Sequence, residues 1–592
     1  MRSATMIAAL LSILASPVAA ATPFTDRLPQ DETVYFLLPD RFENGDPGND
    51  RGGIAGDRLR HGFDPTSKAF YNGGDLKGVT ARLDYIAGLG VTAIWLGPIY
   101  RNNPVQGRPG AESSGYHGYW ITDFTDVDPH FGSRADLKAM VDAAHARGLR
   151  VYLDIITNHT ADIIKYRECP ANDCAYRSRA DYPYSRRGGI GGAAINAGFD
   201  GRDFARLTRP DYAYQPYVPK GLARTKTPAW LNDPIHYHNR GDTIFRGESS
   251  QGGDFSGLDD LFTESPRVVQ GFIDIYGQWI DDFGIDGFRI DTARHVNPEF
   301  WQKFVPAMQA RAKARGIPNF HIFGEVYDPD PGVLARFTRV DTYPTVLDFA
   351  FQSTLFETLA KGAGTERLAR LFDADALYEG GAAAAIALPT FTGNHDMGRF
   401  AHLVRAANPA MTDGDVAKRV ALAHAMMMLL RGQPVIYSGD EQGFVGTGND
   451  QSARAPLFSS QVAEYVADRR LGTTATGATP SFDTNHPFYL AIAGLAALRA
   501  ADPALRRGAQ QVRAAGDTAG LFAVSRRIAG TRGETLIVFN TAPTPITAQV
   551  EVDTASAKWT ASHGACAATA TAPGSYRVTL APLDYIVCRA TP

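Results

Sequence analysis

What this chain lacks narrows it first. No apolar stretch is long enough to cross a bilayer, which argues against helical membrane spans. No block of lysine and arginine and no amphipathic basic helix is present, and the 592 residues carry a net charge of only −4. Neither nucleic acid nor a membrane surface is therefore an expected partner. Cysteine is scarce, four residues in all. No second Cys or His pair stands at zinc spacing from Cys169 and Cys174, which argues against a structural zinc site. Two local disulfides, Cys169–Cys174 and Cys566–Cys588, are the preferred pairing of the three possible. No Pro/Ser linker and no short internal repeat divides the chain.

What is present begins with an export signal. Arg2 precedes the apolar run Met6–Leu14, and small residues from Ser16 to Ala21 follow. This reads as a signal peptide over residues 1–21, cleaved near Ala20 or Ala21. No Cys near that point suggests a lipid anchor, so for a bacterial source a periplasmic or secreted protein is expected. Four cysteines in two close pairs suit that oxidising compartment.

From Val34 onward, short apolar runs alternate with helical patterns. Strands are expected at Val34–Leu38, Val91–Leu96, Arg150–Ile156, Gly287–Asp291, Ile322–Glu325, Thr345–Phe349, Ala385–Phe391 and Val435–Ser438. Helices are expected between them, clearest over Arg134–Arg147 and Pro266–Phe283. Eight such units predict an α/β fold, a (β/α)8 TIM barrel spanning residues 22–159 and 263–506. One connection is far too long for a loop. Residues 160–262 carry a glycine run, Gly188–Gly192, and aromatics including Tyr182, Tyr184, Tyr212, Tyr214, Tyr217 and Trp230, so an inserted subdomain after strand 3 is expected. Most of those aromatics are expected to pack that subdomain. Residues 507–592 show short strands punctuated by Gly, Pro and Thr, predicting a C-terminal antiparallel β-sandwich domain.

Four of the strand ends are charged. Asp154 to His159 closes the third, Arg289, Asp291 and His295 the fourth, Glu325 the fifth, and Asn394, His395 and Asp396 the seventh. A strand alternates its faces, so Arg289 and Asp291 point the same way. Each cluster alone would also fit a structural ion pair or a cap. Together, at the C-terminal ends of barrel strands, they bring three carboxylates besides Asp154, one Arg and three His to the face where barrel enzymes work. Without a Ser or Cys nucleophile, such a set points to glycoside cleavage. Asp291, beside Arg289, suits an ionised nucleophile. Glu325 suits a carboxyl kept protonated by a nearby anion and a partly closed site. Asp396 suits stabilisation of a flattened, oxocarbenium-like ring, and His159 and His395 suit neutral donors to hydroxyls. Near the N-terminus, Asn44, Asp46, Asn49, Asp50 and Asp75 offer oxygens in the number calcium wants, about six to eight. An Asx-rich surface loop would read the same way.

These segments resemble the four signature regions of the α-amylase superfamily, glycoside hydrolase family 13. Tyr116–Asp123 and Gly257–Phe262 resemble further segments of that family. The resemblance implies Asp291 as nucleophile, Glu325 as acid/base and Asp396 as transition-state stabiliser. It implies His117, Tyr119, His159, Arg289 and His395 at the cleaved sugar, Tyr119 by stacking. It implies a calcium site at Asn158, Asp260 and the carbonyl of His295, and a second over Asp40–Asp50 with Gly73 and Asp75. Arg294 stands where many α-amylases have Lys; a forked donor replaces a point charge among the residues expected to bind substrate.

The expected function is that of a secreted, calcium-dependent, retaining, endo-acting α-1,4-glucan hydrolase. Starch, glycogen or maltodextrin is the expected partner and a monomer the expected state. A cyclomaltodextrinase-like, neopullulanase-like or transglycosylating relative is the alternative. It is disfavoured by an early first strand and by the single β domain after the barrel. An inactive glycan-binding protein is the remote one, disfavoured because all three carboxylates stand.

Overall fold

The computed structural model describes residues 23–169, 173–182, 213–448, 450–531 and 533–591. The expected export signal over residues 1–21, Gly188–Gly192, Tyr184 and Tyr212 lie outside them. Eight parallel strands form the central sheet: β1 Val34–Leu37, β2 Ala93–Leu96, β3 Arg150–Ile155, β4 Gly287–Ile290, β5 His321–Gly324, β6 Thr345–Val346, β7 Pro389–Thr390 and β8 Gln433–Tyr437. Their order, β6-β5-β4-β3-β2-β1-β8-β7, sets the first strand beside the last. The Asp348 N–H donates to the Pro389 carbonyl at 2.9 Å, linking the ends of β6 and β7, so the sheet closes into a barrel.

The two faces of each strand go to different cores, as a period of two requires. Val34, Phe36, Ala93, Trp95, Tyr152, Phe323, Val435 and Tyr437 fill the barrel interior. Their neighbours, among them Tyr35, Leu37, Ile94, Leu96, Phe288 and Ile290, pack outward on the helices. Since Phe288 and Ile290 face out, Gly287 and Arg289 face in. Gly287 has no room for a side chain: a Cβ there would lie 2.4 Å from the His321 carbonyl and 2.7 Å from the Tyr152 ring. The bare backbone lets three strands close under the arginine.

Among the helices, α1 (Arg134–Ala146) is opened by a capping box in which Ser133 and Asp136 satisfy each other's backbone N–H, and α2 (Pro266–Phe283) by a proline in its first turn. The expected seventh strand is shorter than its apolar run. The alanine-rich Ala382–Ala385 turns helical, as alanine favours, and only Pro389–Thr390 pairs with β8.

Between β3 and α2 two small antiparallel pairs, Lys165–Tyr166 with Pro216–Tyr217 and His159–Thr160 with Asp259–Asp260, anchor the insertion. Tyr166, Tyr214 and Cys174 form its local core, and Cys169 is bonded to Cys174. After the barrel come β9 Ala509–Ala514, β10 Leu521–Arg527, β11 Thr535–Asn540, β12 Ile546–Glu551, β13 Lys558–His563, β14 Ser575–Leu580 and β15 Asp584–Thr591. Five pair in the order β9-β10-β11-β15-β13, and β12 pairs with β14. Val538, Val550, Tyr576 and Ile586 share one core between the two sheets, and Cys566 is bonded to Cys588.

Candidate active site

The barrel register explains the site. Arg289 on β4 stands level with Asp154 on β3, and both point inward. Arg289 is 0 % exposed. Its Nη1 donates to Asp154 Oδ1 and to Asp291 Oδ1, each at 2.8 Å. Its Nη2 forms an ion pair with Glu325 Oε1 at 2.9 Å. One guanidinium thus holds the carboxylates that follow β4 and β5, and a third beneath them. Thr292, between Asp291 and the next short helix, sits in the left-handed region (φ 46°). A β-branched residue there costs about 1–3 kcal/mol. The turn it makes aims its N–H at Glu325 Oε2, 3.0 Å away.

Asp154, to which the sequence pattern gives no role of its own, has one here. It also accepts hydrogen bonds from Trp95 Nε1 and the Tyr119 hydroxyl, both at 3.1 Å. The same hydroxyl is hydrogen-bonded to His395 Nε2 at 2.7 Å. Tyr119 is thereby tied to the ends of β3 and β7.

Asp396 is held from the other side. Its Oδ1 accepts from Arg454 Nη2 at 2.8 Å, and Oδ2 lies 3.2 Å from His395 Nε2. Arg454 also donates to the His395 carbonyl at 2.9 Å and to the Tyr116 hydroxyl at 3.1 Å. Sequence reasoning missed Arg454. It sits 58 positions after Asp396 in a loop beyond β8, with no apolar period or spaced partner to mark it.

Burial sets the protonation states. It pushes Glu325 up to about 8, Arg289 pulling it back and the charges of Asp291 and Asp396 adding to the rise. Burial also raises Asp291, again against Arg289. The expectation that Arg289 alone keeps Asp291 ionised is therefore incomplete, because the arginine is shared with Asp154 and Glu325. For Asp396, burial is outweighed by His395, Arg454 and Arg289, and its carboxyl falls below the usual range. Burial lowers His159 to about 4 and His395 to about 3, and takes His117 well below its ordinary value. All three are neutral at neutral pH, as hydroxyl-binding imidazoles need to be.

Two cavities meet here. One, of about 410 Å³, is lined by His117, Tyr119, His159, Asp291, Asp396 and Arg454. The other, of about 300 Å³, is lined by Phe245, Arg294, His295, Glu325 and Tyr327. They share Phe255 and Thr292. Asp291 and Glu325 therefore flank the junction from opposite sides. Arg294 Nη1 donates to the Tyr327 carbonyl at 3.0 Å and to Asp328 at 3.1 Å, tying its own segment after β4 to the loop after β5 along the second cavity.

The residues expected to hold calcium fit it unequally. Among the described residues no three His, Cys, Asp or Glu side chains converge as a metal cluster, so any fit rests on amide oxygens. At the N-terminal loop, Asn44 Oδ1 and Asn49 Oδ1 are buried without a hydrogen-bond partner. Burial raises Asp50 beside them to about 6, with Asp40, Asp75 and Asp46 adding repulsion. A Cβ on Gly73 would lie 2.7 Å from Asn44 Nδ2 and 2.8 Å from Asp50 Oδ1. Asp46 is paired with Lys77 at 2.6 Å, and Asp75 accepts from the Asp46 N–H at 2.7 Å. Orphaned oxygens among mutually repelling carboxylates suit a hard cation. At the other site Asn158 Oδ1 is likewise buried and unpartnered. Asp260, however, is bonded to His238 at 2.5 Å, so a cation there competes with an imidazole. His295 Nδ1 is hydrogen-bonded to the Ser250 carbonyl at 2.7 Å.

The model of the alpha amylase catalytic domain matches residues 36–508. An alpha-amylase of Streptomyces lividans is 44 % identical over 556 residues, covering 92 % of this chain and 60 % of the relative. The chain thus spans about 60 % of that protein's length. A solved alpha-amylase of Geobacillus thermoleovorans, complexed with acarbose, superposes with a TM-score of 0.67 at 26 % identity, covering 96 % of this chain and 100 % of that one. A cyclomaltodextrin glucanotransferase with a three-domain ABC distribution gives 0.71 at 27 % identity, covering 95 % and 99 %.

Proposed function

Because the chain belongs to the alpha-amylase family, we propose that it is a retaining, endo-acting α-1,4-glucan hydrolase of starch and related glucans. The observation that carries this reading is the shared arginine at the cavity junction. Arg289 holds Asp291 and Glu325 on either side of a space that opens into two sugar-sized chambers. In the first step the Asp291 carboxylate attacks the anomeric carbon. The bond to the glycosidic oxygen breaks, and the Glu325 proton passes to that oxygen, freeing the shortened chain. In the second, the Glu325 carboxylate takes a proton from water, whose oxygen attacks the same carbon and releases Asp291. Asp396, kept ionised by Arg454, would stabilise the positive charge that develops on the sugar ring in the transition state of each step. His117 and His159, which line the first cavity, donate to hydroxyls, Tyr119 offers its ring, and His395, buried beneath, positions Tyr119 through its hydroxyl.

Calcium, when bound, would neutralise the carboxylates of the N-terminal loop. Asn44, Asn49, Asp50, Asp75 and the Gly73 region would hold it there, with Asn158, Asp260 and the His295 carbonyl at the second site. Export before action accords with the two disulfides and with the absence, among the described residues, of any helix long and apolar enough to cross a membrane.

A sugar hydroxyl in place of water would give transglycosylation. A single β domain after the barrel does not argue against that outcome, since the solved glucanotransferase above has the same three-domain layout. Replacing Asp291 with Asn is expected to abolish release of reducing ends from amylose while the circular dichroism spectrum stays unchanged; undiminished turnover would sink the mechanism. Time-resolved products then separate the acceptors: linear maltose and maltotriose ladders for water, cyclic or lengthened glucans for sugar.

A further inference from the structure

A second cavity of about 410 Å³, equal to the larger chamber at the barrel mouth, lies on the barrel flank between the Pro228–Trp230 segment and α2. The mechanism does not use it. We propose that it is a separate binding site for the polysaccharide, holding a stretch of α-glucan outside the cleavage groove. This rests on the proposed function for the identity of the polymer.

The floor is apolar. Trp230 is half-buried and lies flush on α2, where Gly271 makes room: a Cβ there would sit 2.3 Å from the indole. Ile275 and the edge of Trp279 continue the surface. The rim is polar and uncommitted. The Arg267 guanidinium lies 4.6 Å over the Trp230 ring, and among the described residues it makes no hydrogen bond or ion pair. Its donors are free for a ligand. Further along the same helix, Gln278 donates to Asp282 at 2.6 Å and keeps its carbonyl oxygen. Asp274 accepts from Gln270 through Oδ1 at 2.8 Å and keeps Oδ2. Arg134 is fixed by the Thr125 carbonyl at 2.6 Å and by Asp282.

The charges balance. Arg134 is neutralised by its ion pair with Asp282 beside the cavity, and among the lining residues Asp274 offsets Arg267, so neither an anion nor a cation is selected. An uncharged ligand with one apolar face and many hydroxyls matches an indole floor with separate donors and acceptors around it. The placement suits a long chain. The ribbon strand Ile121–Val127 joins the two sites: Trp120, just before it, lines the barrel-mouth chamber and Thr125 the flank cavity. Five residues of extended chain span about 17 Å, which an oligosaccharide of several units bridges.

The test uses the full chain. In an Asp291→Asn background, adsorption to insoluble starch is compared with and without Arg267→Ala/Gln278→Ala, both exposed positions. The double change is expected to weaken adsorption about tenfold, the loss of one cation–aromatic platform and its hydrogen bonds. In the active enzyme the same change is expected to leave turnover of maltotetraose within about twofold. Trp230→Ala, checked for folding by its melting curve, should weaken adsorption as well. Unchanged adsorption in the folded variants overturns the site. Equal loss on starch and maltotetraose also overturns it, since the cleft would then only support the barrel mouth. If the unaltered enzyme fails to turn over maltotetraose, the hydrolase reading falls instead, and adsorption still decides the flank site.

Discussion

Arg289 is one cation set among Asp154, Asp291 and Glu325, and the chemistry follows from how that charge is divided. Glu325, raised to about 8 by burial, keeps its proton through neutral pH and loses it above that value. Activity should therefore decline as pH rises through about 8, and Glu325→Gln should remove the decline along with most of the turnover. A profile of kcat/KM against pH checks this; a decline that survives in the Gln variant would assign it to another group. Asp291 must be ionised, and its carboxyl is raised, so the acid limb should lie above the ordinary aspartate value of 3.8. Arg454 acts through Asp396. Arg454→Ala is expected to lower kcat by roughly ten- to a hundredfold through misplacement and easier protonation of that carboxylate. Arg454→Lys should recover part of it, whereas a loss confined to KM would make Arg454 a simple sugar ligand. Asp291 and Glu325 stood out in the sequence because each follows an apolar strand run directly, and Asp396 because it closes the polar Asn394–His395–Asp396 cluster a short turn beyond one. Arg454 was hidden because its partner is distant in the chain, and Asp154 because its role lies below the mouth rather than in it.

At the scale of elements, β4 depends on a residue with no side chain. Gly287→Ala would press a methyl into the His321 carbonyl and the Tyr152 ring. It should cost about 1–3 kcal/mol, read as a lowered denaturation midpoint with activity falling alongside as Arg289 shifts. A variant as stable as the parent would show that β4 can move away. The barrel strands β1 to β6 and β8 were legible in the sequence as short buried runs, and β7 only as the end of a longer one. In the C-terminal domain β9 and β13 escaped notice because they are the two edges of their sheet. Ala509–Ala514 and Lys558–His563 are mostly polar, as an edge with one wet side permits, so no apolar run announces them.

For the whole molecule, the loop at Asn44–Asp50 joins the chain just after β1 to the start of the helix at Leu76–Ala81. Asp75, which caps that helix, also accepts the Gly45 and Asp46 N–H groups. A cation there would stiffen one wall of the barrel. Chelation is expected to lower the melting temperature by several degrees, with calcium restoring it, as for any ligand that binds only the folded state. Superimposable melting curves with and without chelator would reject the metal sites.

The pairing of β1 with β8 also has a consequence for how the molecule is made. Tyr35 hydrogen-bonds Glu441 across 406 positions of chain. At synthesis rates of about 5–20 residues per second, β1 waits roughly 20–80 s before its second neighbour emerges. Through that interval its unpaired flank is exposed to association with other chains. A nascent polypeptide stalled before Gln433 would carry every acidic group of the site and still be unable to close the ring that aligns them.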